Sequence, residues 1–246
     1  MDVLDFQSRI TTYLRDAEFR KRGFPNILPE VPGDQMALFE KTVGHFTRDR
    51  ITRVGELFTE FLDVMNYLHW KDQLLDQFVN RFKTGGWDRI DEIERLRTVS
   101  VDFLRNHSAP PMLYDLLTYC SVCSRLAEQP MREVSSDTDR LIPRIRGPAQ
   151  VIEVRHDITT FIAADQSTEE FLGLPSAPVV LFIIKDMDVP RTVHVLRFDD
   201  RTIPDLLSAA APLDSFIGPE SAKIVEQLRQ MNQYKFIRWA GDIERR

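Results

Sequence analysis

Cysteine is scarce in this sequence: Cys120 and Cys123 are the only two among 246 residues. That excludes the disulfide framework of a small secreted scaffold. Long apolar runs are missing too. No stretch approaches the ~18 consecutive apolar residues of a spanning helix. The opening Met1-Asp2-Val3-Leu4-Asp5-Phe6 has neither the positive region nor the apolar run of a signal peptide, so a cytoplasmic protein is expected. Basic excess is absent: the net charge is -6 and the pI about 5.5. A general nucleic-acid binder carries a basic footprint, and an anionic membrane surface calls for a polybasic segment; neither is here.

Catalytic signatures are also lacking. The five histidines, His45, His69, His107, His156 and His194, are scattered, with no HExxH spacing. No GxSxG, Walker A or GxGxxG occurs. Glu169-Glu170 and Asp199-Asp200 read as solvated loop charges rather than an acid/base pair. Cys120-Ser-Val-Cys123 has the spacing of a redox dithiol or half a zinc site, but no second ligand pair stands nearby. It falls inside a predicted helix, where two small core residues are the plainer reading.

Apolar material for a core is ample, at 43% hydrophobic with sixteen Phe. Residues 2–22 repeat Val3, Phe6, Ile10, Tyr13, Leu14 and Ala17 at helical spacing. A Gly/Pro loop follows, and Asp34 caps a second helix. Further helices are predicted over Thr52–His69, Asp72–Phe82, Trp87–Asn106 and Pro110–Glu128. Gly85-Gly86 is a stop, and proline suits the first helical turn. Ser135 to Pro148 reads as a linker, placing a helical domain at 1–134 and a strand-and-helix domain at 149–246.

In that second part Val151–His156 alternates like a strand, and Ile158–Ala163 is expected to pair with it or continue it. Thr168–Leu172 reads as one helical turn. Val179–Ile184 is the strongest strand. With Asp186–Pro190 as the turn, Arg191–Phe198 completes a hairpin. Its alternation puts Val193, Val195 and Arg197 on one side and Thr192, His194, Leu196 and Phe198 on the other. Helices over Ile203–Ala211 and Pro219–Asn232 follow, then a last strand within Tyr234–Trp239. The fold class is therefore α+β, helical first and winged-helix-like (peptide-recognition-element-like) second.

Two uses of such a module differ in chemistry. A DNA reader needs a cationic helix, whereas Lys223 and Arg229 here alternate with Glu220 and Glu226. A peptide reader needs an open strand edge that accepts main-chain hydrogen bonds. The candidate groove is Val193, Val195 and Arg197 on the strand with Lys223, Leu228 and Met231 on the facing helix.

The segment Asp102-Phe103-Leu104 followed by Ala109-Pro-Pro-Met-Leu-Tyr-Asp-Leu-Leu-Thr-Tyr119 resembles the partner subunits of multinuclear non-haem iron-dependent oxidases (MbnC- or TglI-like, HvfC-like). Leu38-Phe39 and Leu57-Phe58 fit the same helical domain, and Val179–Ile184, Val193–Phe198, Ile203–Leu207 and Ile224–Leu228 follow the order of their second domain. The resemblance implies a non-catalytic subunit without a cofactor or metal of its own. Such a subunit binds the leader of a ribosomally made precursor peptide and docks, as a heterodimer, on a TIM-barrel oxidase. The iron sits in that enzyme, which oxidises a cysteine of the peptide. Two other readings stay open: a winged-helix DNA-binding regulator with a helical sensor domain, and a thiol or metal enzyme using Cys120 and Cys123.

Overall fold

The computed structural model describes residues 51–81, 89–130, 143–163, 166–209 and 221–238, together with Lys41. The helices expected over 2–22 and from Asp34, the Gly85-Gly86 stop and the Ser135–Asp139 linker cluster lie outside the described residues. The chain divides into two compact units, Met1–Ser121 and Val122–Arg246.

The described part of the first unit is helical. Residues 51–57 lead into α1 (Thr59–Tyr67), α2 (Lys71–Arg81), α3 (Arg89–Asn106) and α4 (Met112–Glu128), whose last two turns belong to the second unit. The single helix expected over Thr52–His69 is interrupted at Phe58, where φ is -129° and ψ 35°. The Thr59 hydroxyl donates to the Gly55 and Glu56 carbonyls at 3.4 and 3.3 Å, taking up acceptors beside the break. Phenylalanine fills the interior, as its lack of a polar group dictates: Phe58, Phe61, Phe78 and Phe103 are fully buried.

Two of these helices close without glycine. After α1, His69 takes the left-handed conformation (φ 59°) and the Trp70 N–H donates back to the Met65 carbonyl at 2.8 Å. After α3, Ser108 (φ 48°) lets the Ala109 N–H reach the Leu104 carbonyl at 3.0 Å. These are Schellman closures, which satisfy carbonyls that would otherwise lack a donor.

The second unit is built on an antiparallel three-stranded sheet, order β2-β3-β4, with β2 Ala149–Val154, β3 Val179–Lys185 and β4 Val193–Phe198. The β3–β4 hairpin is the one predicted from alternation. Short helices α5 (Thr159–Ile162) and α6 (Thr168–Leu172) connect β2 to β3. The segment Ile158–Ala163 therefore turns helical instead of extending the strand. Asp157 decides this, because its carboxylate accepts from the Thr159 N–H at 3.2 Å and from the Thr159 hydroxyl. α6 carries a capping box between Ser167 and Glu170.

α7 (Thr202–Ala209) and α8 (Ser221–Gln233) follow the sheet. The last strand, β5 (Ile237–Arg238), pairs with β1 (Arg144–Ile145), a partner that sequence reading did not identify. α8 ends with Lys235 left-handed (φ 61°) and Phe236 N–H bonded to the Met231 carbonyl at 2.9 Å.

Cross-strand partners share a face. Ile184 with Ala149 and His194, Phe182 with Val151 and Leu196, and Val180 with Glu153 and Phe198 line one face. α7 and α8 pack there through Ile203, Leu206, Leu207, Ile224, Leu228 and Met231. The opposite face carries Ile183 with Gln150 and Val195, Leu181 with Ile152 and Arg197, and Lys185 with Val193. The end of α4 caps part of it: Arg125 donates to Gln150, and the buried Lys185 ammonium donates to the carbonyls of Ala127 (2.6 Å) and Gln129. Both faces of β3 are thus covered and all seven of its residues are buried, as its unbroken apolar run requires. The protein is α+β, and among the described residues no helix is long and apolar enough to cross a membrane.

Candidate functional site

The direction of each main-chain group on β4 follows from one bond and the register. The Asp186 N–H donates to the Thr192 carbonyl at 2.8 Å, which makes Asp186 and Thr192 a hydrogen-bonded pair. Antiparallel pairs alternate between bonded and non-bonded. With Lys185 opposite Val193 and Ile184 opposite His194, the residues His194, Leu196 and Phe198 spend their N–H and C=O groups on β3. Val193, Val195 and Arg197 turn theirs to the free edge. The same alternation on the other side of β3 is anchored independently by Lys185 N–H to the Pro148 carbonyl at 2.9 Å. β4 ends the sheet, and among the described residues no backbone group pairs with its outward row.

A helix borders this edge. Ile224, near the start of α8, lines a small cleft with Phe198, while Phe236, just past its end, meets His194 with ring centroids 4.8 Å apart. His194 to Phe198 spans about 13 Å of strand, and Ile224 to Gln233 spans about 13.5 Å of helix. The two lengths match, so α8 runs antiparallel alongside β4. Lys223, Gln227, Gln230 and Tyr234 recur along one flank of this helix. Lys223 and Gln227 line the cleft by Phe198, and Tyr234 stacks on Phe236 at 6.1 Å.

The six residues expected to form a groove fall into three settings. Val193, Val195 and Arg197 share one face of β4 and carry its outward main-chain groups. Lys223 is exposed beside the cleft. Leu228 and Met231 are in the core, 0% and 5% exposed, where they hold α8 to the opposite face of the sheet. β4 and α8 do adjoin, but the side of α8 open to solvent at the edge is the flank of Lys223, Gln227, Gln230 and Tyr234. Sequence reading missed the last three. The signal was there in their helical spacing beside the apolar stripe, but nothing said which flank the strand would border.

Arg197 is itself engaged. Its guanidinium donates to Asp157 at 2.6 Å and Asp199 at 2.8 Å, which raises its already high pKa. Burial pushes the Asp157 carboxyl up, but hydrogen bonds from Thr159 and Arg197 outweigh it and hold the group below its ordinary value. Asp200 accepts from the Thr202 N–H at 2.8 Å at the start of α7, and the Thr202 bonds depress its pKa. At the hairpin turn the Asp186 carboxylate accepts from His194 Nε2 (2.7 Å) and from the N–H groups of Asp188 and Val189; the His194 bond is the chief cause of its lowered pKa.

Other chemical candidates make the following local contacts. His69 closes α1, and His107 stacks on Phe103 with centroids 4.0 Å apart while its Nδ1 lies 2.8 Å from the Phe103 carbonyl. Cys120 is buried with its thiol directed at Glu60 (3.8 Å), and Cys123 is half-buried. Among the described residues no three His, Cys, Asp or Glu side chains gather as a metal site would require. In the first unit a cleft of about 430 Å³ lies between α2 and α3, floored by Phe78 and Val99 and walled by Arg81, Asp91, Glu94, Arg95 and Thr98. No protein-family model matches this chain, and no curated protein matches it in sequence.

Proposed function

We propose that this protein is a non-catalytic recognition subunit that captures an extended leader segment of a ribosomally made precursor peptide along β4. It then presents the peptide to a TIM-barrel multinuclear non-haem iron oxidase, which oxidises a peptide cysteine. The observation that carries the reading is the outward row of main-chain groups on Val193, Val195 and Arg197, bordered by α8. A strand edge is a template for another strand, giving affinity through main-chain bonds and selectivity through alternate side chains. The order β2, two short helices, β3, β4, then α7 and α8 supports a winged-helix-like, peptide-recognition module of the kind the resemblance implies.

The physical logic suits a two-protein system. Tethering a leader at a remote site raises the effective concentration of the reacting residue at the enzyme that carries the iron. A duplex-binding role has less support, since on the exposed side of α8 Arg229 is paired with Glu226 at 3.6 Å, and the chain is acidic overall.

The test is affinity capture of the full chain from its own cells, with mass spectrometry and iron analysis of what is retained. The expected result is an iron-containing TIM-barrel protein held near one-to-one, plus a precursor peptide that is lost when the bait carries Val195→Pro. Recovery of the chain alone, or with duplex DNA, refutes the reading.

A further inference from the structure

The β4 edge also carries information about which peptide it would accept, and this inference rests on the strand-addition reading above. We infer that the edge selects an extended segment with two anchors on one face. One is a branched aliphatic side chain, and the other is an aromatic side chain four positions away.

The spacing comes from β4 itself. A residue of an added strand that lies opposite Phe198 points to the α8 side of the sheet, because directly opposed residues share a face. The next two residues on that face lie opposite Leu196 and His194. The ends of this row differ. At Phe198 the added side chain meets the cleft formed with Ile203 and Ile224 and rimmed by Asp199, Asp200, Lys223 and Gln227. At His194 it meets the aromatic stack of His194, Phe236 and Tyr234.

The size of the cleft sets the first anchor. It offers about 40 Å³, and a single water needs about 10–15 Å³ of the same kind of space, so roughly three heavy atoms fit. That matches the branched end of Val, Leu or Ile and is too little for a phenyl ring. The floor is apolar, and the rim carboxylates are already engaged, Asp199 with Arg197 at 2.8 Å and Asp200 with the Thr202 N–H at 2.8 Å. A cationic side chain would therefore lose water there without gaining a free carboxylate, and an acidic one would find only the solvated Lys223 ammonium on the rim.

Tyr234 sets the second anchor. It is 67% exposed, the most exposed large hydrophobic side chain among the described residues, yet its ring stacks on Phe236. A ring held at this height beside the edge presents an open π-face, which an aromatic side chain can cover.

The experiment is selection from a display library of random twelve-residue peptides on the full-length protein, followed by fluorescence anisotropy with labelled winners and their single-site variants. The expected consensus is an aliphatic residue and an aromatic residue four positions apart. Changing either anchor to Ser should weaken binding roughly tenfold or more. A spacing of five should act like the loss of one anchor, because it turns that side chain to the other face. Tyr234→Ser should lower affinity for the two-anchor peptide to that of the peptide lacking the aromatic, with an unchanged thermal unfolding curve.

Enriched peptides that bind alike with and without the anchors, and that still lose affinity to Val195→Pro, overturn the anchor assignment and leave strand addition standing. No enrichment at all overturns both. A concentration-dependent dimer in sedimentation that Val195→Pro abolishes assigns the edge to a second copy of the chain, which also overturns both.

Discussion

Proline placed at adjacent positions of β4 separates the outward row from the inward one. At Val195 the N–H points to the free edge, so Val195→Pro deletes no ladder bond, and edge strands tolerate proline there. Trimming a half-buried Val costs about 1 kcal/mol or less. At Leu196 the N–H is spent on Phe182, which is 1% exposed. Leu196→Pro strands that buried carbonyl, about 1–3 kcal/mol, and removes a Leu packed on the core, about 2 kcal/mol or more. The two substitutions should therefore differ by about 2–4 kcal/mol although they are neighbours. Urea unfolding followed by circular dichroism, with hydrogen exchange of β3 as the local readout, measures this. Peptide capture gives the complement: Val195→Pro should lose it while staying folded. Equal destabilisation by the two prolines, or a greater cost at Val195, would mean that the register is displaced by one residue and that His194, Leu196 and Phe198 own the free edge.

Three further outcomes are expected. Lys185→Met should destabilise the second unit by about 1–3 kcal/mol, because the carbonyls of Ala127 and Gln129, at and just past the end of α4, lose a charged donor. A stabilised variant in a urea titration would show that desolvating the ammonium outweighs those bonds. Asp186 is held below its ordinary 3.8 by the His194 hydrogen bond, so its contribution to stability is present above that value and lost as pH falls through the depressed one. The stability gap between the natural chain and Asp186→Asn should be full near neutrality and close below about pH 3.8; a gap independent of pH refutes it. Thiol labelling should modify half-buried Cys123 first and buried Cys120 only on unfolding; equal rates in the folded chain would refute the burial assigned to them.

How legible this was depended on how local the cause is. The β3 run and the β4 alternation are properties of a few adjacent residues, and they led to the hairpin and to Val193, Val195 and Arg197 on one side. The turn at Asp157 hid because Ile158–Ala163 is apolar enough for a strand, while a single carboxylate bonded to Thr159 tips it into a helix. Leu228 and Met231 were read into the groove although their helical period marks them as core. Periodicity identifies a buried face without saying what it is buried against. Nothing adjacent in the sequence marks Lys185 as buried. Its burial depends on carbonyls near Ala127, far off in the sequence, which no local pattern announces.

The left-handed residues that close the helices bear on how hard this protein has been selected for stability. It has ten glycines in 246 residues, fewer than the ~7% usual in globular chains, and none closes α1, α3 or α8. His69, Ser108 and Lys235 do so instead, each solvent-exposed and each held at positive φ. An L-residue there carries about 1–2 kcal/mol of backbone strain, and replacing it with glycine forfeits only about 0.4–1 kcal/mol through the freer unfolded chain. Single-base drift or a designer could therefore find a more robust protein within a few steps. A fold that leaves such gains untaken sits just above the threshold its role demands, as expected of a molecule selected for what it does rather than for how long it lasts.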